Sequence, residues 1–163
     1  MNDQEEIFIV VDKQDRIIGY RTRHECHHDN SLIHRAVGVV IFNKKGQILV
    51  QKRSKNKDLY PNLYTISTSG HVDKGETYHQ AAKRELQEEL GINIPIKRKK
   101  KFLLEIEVET EMDCLFIGEY EGPFYPSKDE VDEVKFVGKN ELKKMKSKFT
   151  PFAMLSLKQL SLI

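Results

Sequence analysis

Apolar residues in this chain arrive in short, β-branched bursts divided by polar turns, and between residues 77 and 91 the spacing changes to that of a helix. Residues 7–11 (IFIVV), a polar turn at 12–15 and residues 17–20 (IIGY) predict a hairpin, so residues 1–30 are read as an N-terminal hairpin extension. Residues 34–42 (HRAVGVVIF), the turn Asn43-Lys44-Lys45-Gly46 and the alternating residues 47–52 (QILVQK) predict a second hairpin. Further strands are expected at 63–68, at 102–108, where Leu104, Ile106 and Val108 alternate with Glu105, Glu107 and Glu109, at 112–120 and at 130–137.

The helical stretch is bounded by Thr77 as N-cap and Gly91 at the C′ position. At 100° per residue, Ala82, Leu86 and Leu90 form an apolar stripe, and Glu85, Glu88 and Glu89 share the adjoining edge. A short helix is expected at 140–146, and Thr150-Pro151 starts a final one whose apolar side holds Met154, Leu155 and Leu157. Mixed strands around one carboxylate-bearing helix, with a second helical layer near the C-terminus, predict an α+β fold: a single domain over 1–163 built as an α/β/α sandwich on a mixed β-sheet. No repeat or interdomain linker interrupts it.

Composition narrows the function classes. With 163 residues, 39% hydrophobic content and a formal charge of +2, the chain demands neither a polyanion nor a membrane as partner. It begins MNDQEEIF, acidic where a signal peptide is basic, and no apolar run approaches the ~20 residues of a spanning helix, so a cytoplasmic location is expected. Cys26 and Cys114 lack metal-site spacing and are expected to be free thiols. The basic run Lys97-Arg98-Lys99-Lys100-Lys101 has no interleaved aromatics, which favours a solvated strand edge over a nucleic-acid surface.

The candidate chemistry sits in GHVDKGETYHQAAKRELQEELGI, from Gly70 to Ile92. Alone, three carboxylates on a helix edge read as a solvated acidic face. Partly buried, two of them about 6 Å apart repel by ~3 kcal/mol at an effective dielectric near 20. A divalent cation removes that strain, and a few hard oxygen ligands suit Mg2+ better than a closed zinc cage. Upstream, residues 23–28 (RHECHH) are crowded with ligand types, among which His24 and His28 are expected to be structural or solvated. The basic loop 53–57 (RSKNK) is either a solvated connection or a phosphate contact.

The full spacing, G-x5-E-x7-R-E-U-x-E-E-x-G-U with U a bulky aliphatic residue, resembles the Nudix hydrolase signature, and every specified position matches. The resemblance implies a Mg2+- or Mn2+-dependent hydrolase that cleaves a diphosphate linkage in a nucleoside-diphosphate-like substrate by water attack at phosphorus. It implies Glu85, Glu88, Glu89 and Gly70 as metal ligands, with Arg84 orienting the cluster through Glu76 and Glu85. The general base is left open between Glu89 and Glu111. Arg23, Arg35, Arg53 and Lys57 are the candidates to neutralise substrate phosphate, Arg with the better fork for paired oxygens. Tyr60, Tyr64, Phe116 and Tyr120 are either base-stacking aromatics or core.

Beyond that signature, the chain resembles the branch holding type I isopentenyl-diphosphate isomerases and their hydrolase-like relatives, on His27, His34, Arg53, Lys57, Gly70-His71, Glu109, Glu111 and Phe149-Thr150-Pro151. That likeness implies a second metal site of His27, His34, His71, Glu109 and Glu111. Two departures weigh against isomerase chemistry. Ser69 stands where the isomerases carry a proton-handling cysteine, and Phe152 where they carry a tryptophan, a residue this chain lacks throughout. The alternatives to a hydrolase are an isomerase that replaces the thiol with another group and a silent nucleotide-sensing module. A small-molecule diphosphate is the expected partner, and a homodimer is compatible with the sequence.

Overall fold

A computed structural model describes residues 3–163, which leaves the first two residues of the N-terminal extension and of the acidic start outside the described residues. Strands β1 (Ile7–Val11) and β2 (Ile17–Thr22) form the expected antiparallel hairpin. Helix α1 (Arg23–His28) follows, where the sequence reading had no helix. Its start was legible: the Thr22 hydroxyl accepts the Glu25 N–H while the Glu25 side chain returns to the Thr22 backbone, a capping box.

Strand β3 (Ile33–Phe42) is the spine of the sheet. It runs parallel to β8 (Glu109–Glu119) from Ile33 opposite Thr110 to Phe42 opposite Glu119. Strand β6 (Thr68–His71) lies antiparallel along its other edge, opposite Ala36 to Val39. The second predicted hairpin forms, its turn closed by the Asn43 N–H on the Gln47 carbonyl at 3.0 Å, but its two strands diverge beyond the turn. Strand β4 (Ile48–Arg53) meets β3 only at Phe42 and Ile48, because β6 occupies the next part of β3 and β9 (Val131–Val137) pairs along the length of β4. The strand expected at 63–68 is two short ones, β5 (Tyr64–Thr65) and β6. Between them Ser67 turns inward, its hydroxyl accepting from the Ile41 N–H at 2.8 Å and donating to the Leu49 carbonyl at 2.6 Å.

Helix α2 (Tyr78–Leu90) begins at Thr77, whose hydroxyl accepts the Gln80 N–H, and ends at Gly91 in the left-handed region (φ 65°). Ala81, Ala82, Leu86 and Leu90 are buried on one face of the sheet among Val37, Val39, Leu49 and Cys114. Fully burying each leucine contributes ~1.5–3 kcal/mol. On the opposite face, α3 (Lys139–Lys144) and α4 (Pro151–Gln159) cover Val40, Val50, Ile66 and Leu115 with Leu142, Ala153 and Leu157. The result is the expected sandwich. Strand β7 (Lys97–Ile106) pairs with β8 and exposes its basic run. Cys26 and Cys114 are free and buried. Among the described residues, no helix is long and apolar enough to cross a membrane.

Candidate active site

The turn from β6 into α2 and the first turn of β8 open onto one cleft of about 720 Å3. Glycine is required at its centre, because a Cβ on Gly70 would fall on the Glu85 carboxylate. Arg84 ties the loop to the helix. Its fork donates to both Glu76 oxygens at 2.8 and 2.9 Å, to Glu85 Oε1 at 2.8 Å and to the His71 carbonyl at 2.8 Å. Those carboxylates hold the guanidinium pKa above its usual range.

Glu85 and Glu89 are brought together as the helix edge predicted, and both line the cleft. Burial raises the pKa of Glu85 well above the carboxylate norm, and the neighbouring Glu89 charge adds to it. Burial raises Glu89 too, against three donors on its Oε1: the Thr68 hydroxyl, the Gln51 amide at 3.1 Å and the Ser69 N–H at 3.3 Å. Glu88 is turned to the rim, its side chain 58% exposed, with Oε2 at 3.3 Å from Arg84.

A second cluster adjoins the first. His27 from α1, His34 from β3 and His71 from β6 converge on Glu109 at the start of β8, and their ligand atoms lie within 4.8 Å of one another. Glu109 Oε2 is 2.6 Å from His27 Nε2, 3.2 Å from His34 Nε2 and 3.7 Å from His71 Nε2. Glu111 Oε2 stands 3.6 Å from both His34 and His71. Burial pushes the His71 pKa down to about 3 and lowers that of His34. Burial would raise Glu109, but the three imidazoles hold it well below the usual range. Phe8 lies against the cluster, its ring centroid 4.4 Å from that of His71.

Both clusters fit a divalent cation. His27 Nε2, His34 Nε2 and Glu109 Oε2 are buried, lie close together and make no well-aligned hydrogen bond among the described residues, so these three ligand atoms are placed to share one cation. Glu89 is a buried carboxylate and Glu85 a partly buried one, and a cation would cancel their mutual repulsion.

Of the phosphate candidates, Arg23, Arg53 and Lys57 line the cleft. Arg23 Nε is buried and makes no hydrogen bond among the described residues, and Nη2 is 3.9 Å from Asp58. Arg53 donates through Nε and Nη2 to the Leu59 carbonyl, and Lys57 pairs with Glu130. Arg35 does not belong with them. Residues alternate faces along β3, so Arg35 points away from His34 and Ala36, bonding Asp15 at 2.8 Å and stacking over Tyr78. Tyr60 lines the cleft, while Tyr64 bonds Glu133, Phe116 is core and Tyr120 packs on Phe124. His24 and His28 stack on each other at the surface, as expected. The sequence reading missed the donors to Glu89. The signal for one was Gln51, a polar residue ending the apolar run ILV.

Residues 32–156 match the family model of the NUDIX domain. The chain belongs to the Nudix family. An uncharacterized Nudix hydrolase of Yersinia pestis is 36% identical over 154 residues, covering 94% of this chain and 82% of that one. Isopentenyl-diphosphate Delta-isomerase 2 of Photorhabdus laumondii is 35% identical, covering 82% and 77%. Among solved structures, DR0079 from Deinococcus radiodurans superposes with a TM-score of 0.80 at 22% identity, over 92% of this chain and 96% of that one. The Nudix domain of NrtR from Shewanella oneidensis, crystallised with ADP ribose, gives 0.65 at 16% over 77% and 84%. Those structural likenesses carry the Nudix fold. The family and the sequence relatives make this chain a Nudix hydrolase, of the class that acts on phosphorus-containing anhydrides.

Proposed function

We propose that the chain hydrolyses a diphosphate linkage in a nucleoside-diphosphate-like substrate, with Mg2+ or Mn2+ held by Glu85, Glu88, Glu89 and the Gly70 backbone. The observation that supports this most is one cleft with the buried Glu89 and partly buried Glu85 on the α2 side and Arg23, Arg53 and Lys57 also on its lining. When bound, the divalent ion neutralises phosphate charge and acidifies water. The residues of the chain do the rest. Arg84 fixes Glu85 from the side, Glu89 is gripped through one oxygen, and the Arg23 guanidinium, whose Nε makes no hydrogen bond among the described residues, offers donors to phosphate oxygens. Glu89 and Glu111 are the two carboxylates in reach of a base role, and Glu111 sits against the imidazoles.

The test is a panel of nucleotide and prenyl diphosphates with Mg2+ or Mn2+, scored for orthophosphate and pyrophosphate release. Glu89→Gln should lower kcat by ~100-fold or more with the fold intact. Wild-type turnover in that variant would overturn the assignment of the trio.

The histidine cluster supports a second reading, an isomerase acting on isopentenyl diphosphate with the cluster as its metal site. Ser69, which lines the cleft, opposes it, because an unassisted hydroxyl cannot supply the base a thiolate would. Incubation in D2O separates the two: deuterium in the prenyl carbons favours isomerisation, and phosphate release without carbon labelling rejects it.

A further inference from the structure

Glu89 is held by a cradle that no part of the motif supplies. Gln51, 2% exposed on β4, sends both N–H bonds of its amide to oxygens, one to the Ser67 carbonyl at 3.0 Å and one to Glu89 Oε1 at 3.1 Å. The opposite amide orientation would set its carbonyl against two acceptors, so the donors' direction is fixed by the surroundings. Ser67 is itself pinned to the sheet through Ile41 and Leu49, which makes the bend between β5 and β6 a rigid platform. From that platform the Thr68 hydroxyl and Ser69 N–H reach the same oxygen of Glu89. Among the described residues, Oε2 takes no hydrogen bond.

We propose that Gln51 is a positioning residue for the reaction: with Thr68 and Ser69 it occupies one oxygen of Glu89 and fixes the other toward the cleft. This rests on the reading of Glu89 as part of the metal-binding trio. A carboxylate on a three-bond side chain would otherwise sample several rotamers, each presenting a different oxygen to the cation. Three donors from β4 and β6 remove that freedom before any ligand arrives.

The test uses the full chain. Gln51→Met keeps length and bulk and deletes both donors, and Thr68→Val keeps shape and deletes one. Each should lower kcat and weaken Mn2+ binding, followed by electron paramagnetic resonance, by about 10- to 100-fold, with KM for the diphosphate changing less. In a Glu89→Gln background the same two substitutions should cost little more, because their effect passes through Glu89. Equal losses in both backgrounds would mean a merely structural role, and a folded Gln51→Met enzyme with wild-type kcat and Mn2+ affinity would overturn the proposal. If Gln51→Met does not fold, Thr68→Val carries the same decision. Wild-type turnover in Glu89→Gln alone would instead overturn the trio and leave this cradle without a function.

Discussion

Gly70 and Arg84 show how little freedom the site leaves to single residues. A methyl group at position 70 has nowhere to go, because the Glu85 carboxylate fills the space, and Glu85 cannot retreat without giving up Arg84. Gly70→Ala is therefore expected to push Glu85 out of the cleft, lowering kcat and Mn2+ affinity together by ~10-fold or more. Calorimetric titration of Mn2+ into the variant checks it, and unchanged affinity would show that Glu85 is not a ligand. Arg84→Lys keeps the charge and loses the fork that spans Glu76, Glu85 and the His71 carbonyl. A lysine cannot make those bonds at once, so kcat should fall while the family fold persists in the circular dichroism spectrum. The misread residue belongs to the same scale. Arg35 follows His34 on a strand, so alternation turns it to the face opposite the site, where Asp15 and Tyr78 receive it.

At the scale of elements, the N-terminal hairpin and α1 complete a site that the motif alone leaves half built. Helix α1 supplies His27 and Arg23, and it is fastened by Cys26, which packs with Phe8 and Val10 in a cluster of its own. The hairpin turn is anchored at Asp15, which accepts from Arg35, Tyr78 and Lys101, each at 2.8 Å. Asp15→Ala strands three donors, and should lower unfolding free energy by about 3 kcal/mol, read by urea denaturation. Tyr78→Phe removes one of those bonds and should cost ~1 kcal/mol. A loss from Asp15→Ala no larger than that of Tyr78→Phe would show that the turn is not an anchor. Much of this level was legible: strands at period 2, α2 at period 3.6 and caps at Thr77, Gly91 and Thr150 are written locally. The parallel pairing of β3 with β8 was not, since residues 33 and 110 become neighbours through sheet closure that no local pattern encodes. The same closure assembles the histidine cluster from four elements, so only the resemblance to a known family, and no spacing rule, pointed to it.

For the whole molecule, the concentration of buried carboxyls predicts an unusual pH dependence. Glu85, Glu89, Glu111 and Asp113 all have pKa values raised, in each case chiefly by burial. A raised carboxyl contributes stability that is fully present below its unfolded pKa and is lost as pH rises through its folded one. His34 and His71 have the opposite sign: their lowered pKa values contribute stability present above the unfolded value of 6.5 and lost as pH falls below it. Glu109, held low by the imidazoles, contributes stability that is present above its unfolded value and lost progressively as pH falls below it. Between pH 6.5, the unfolded histidine value, and 9.0, the unfolded thiol value, the contribution of His34 and His71 is essentially complete, while that of the raised carboxyls can only fall as pH rises. The metal-free protein should therefore become less stable as pH rises across that window, the reverse of ordinary acid denaturation. A divalent cation at Glu85 and Glu89 would neutralise the charge that burial disfavours there, so Mn2+ should raise the melting temperature most at the alkaline end and flatten the curve. Melting temperature measured against pH with EDTA and with Mn2+ gives the two curves. A metal-free curve that climbs across the window would mean that burial does not hold these carboxyls above their unfolded pKa values, and would overturn the prediction.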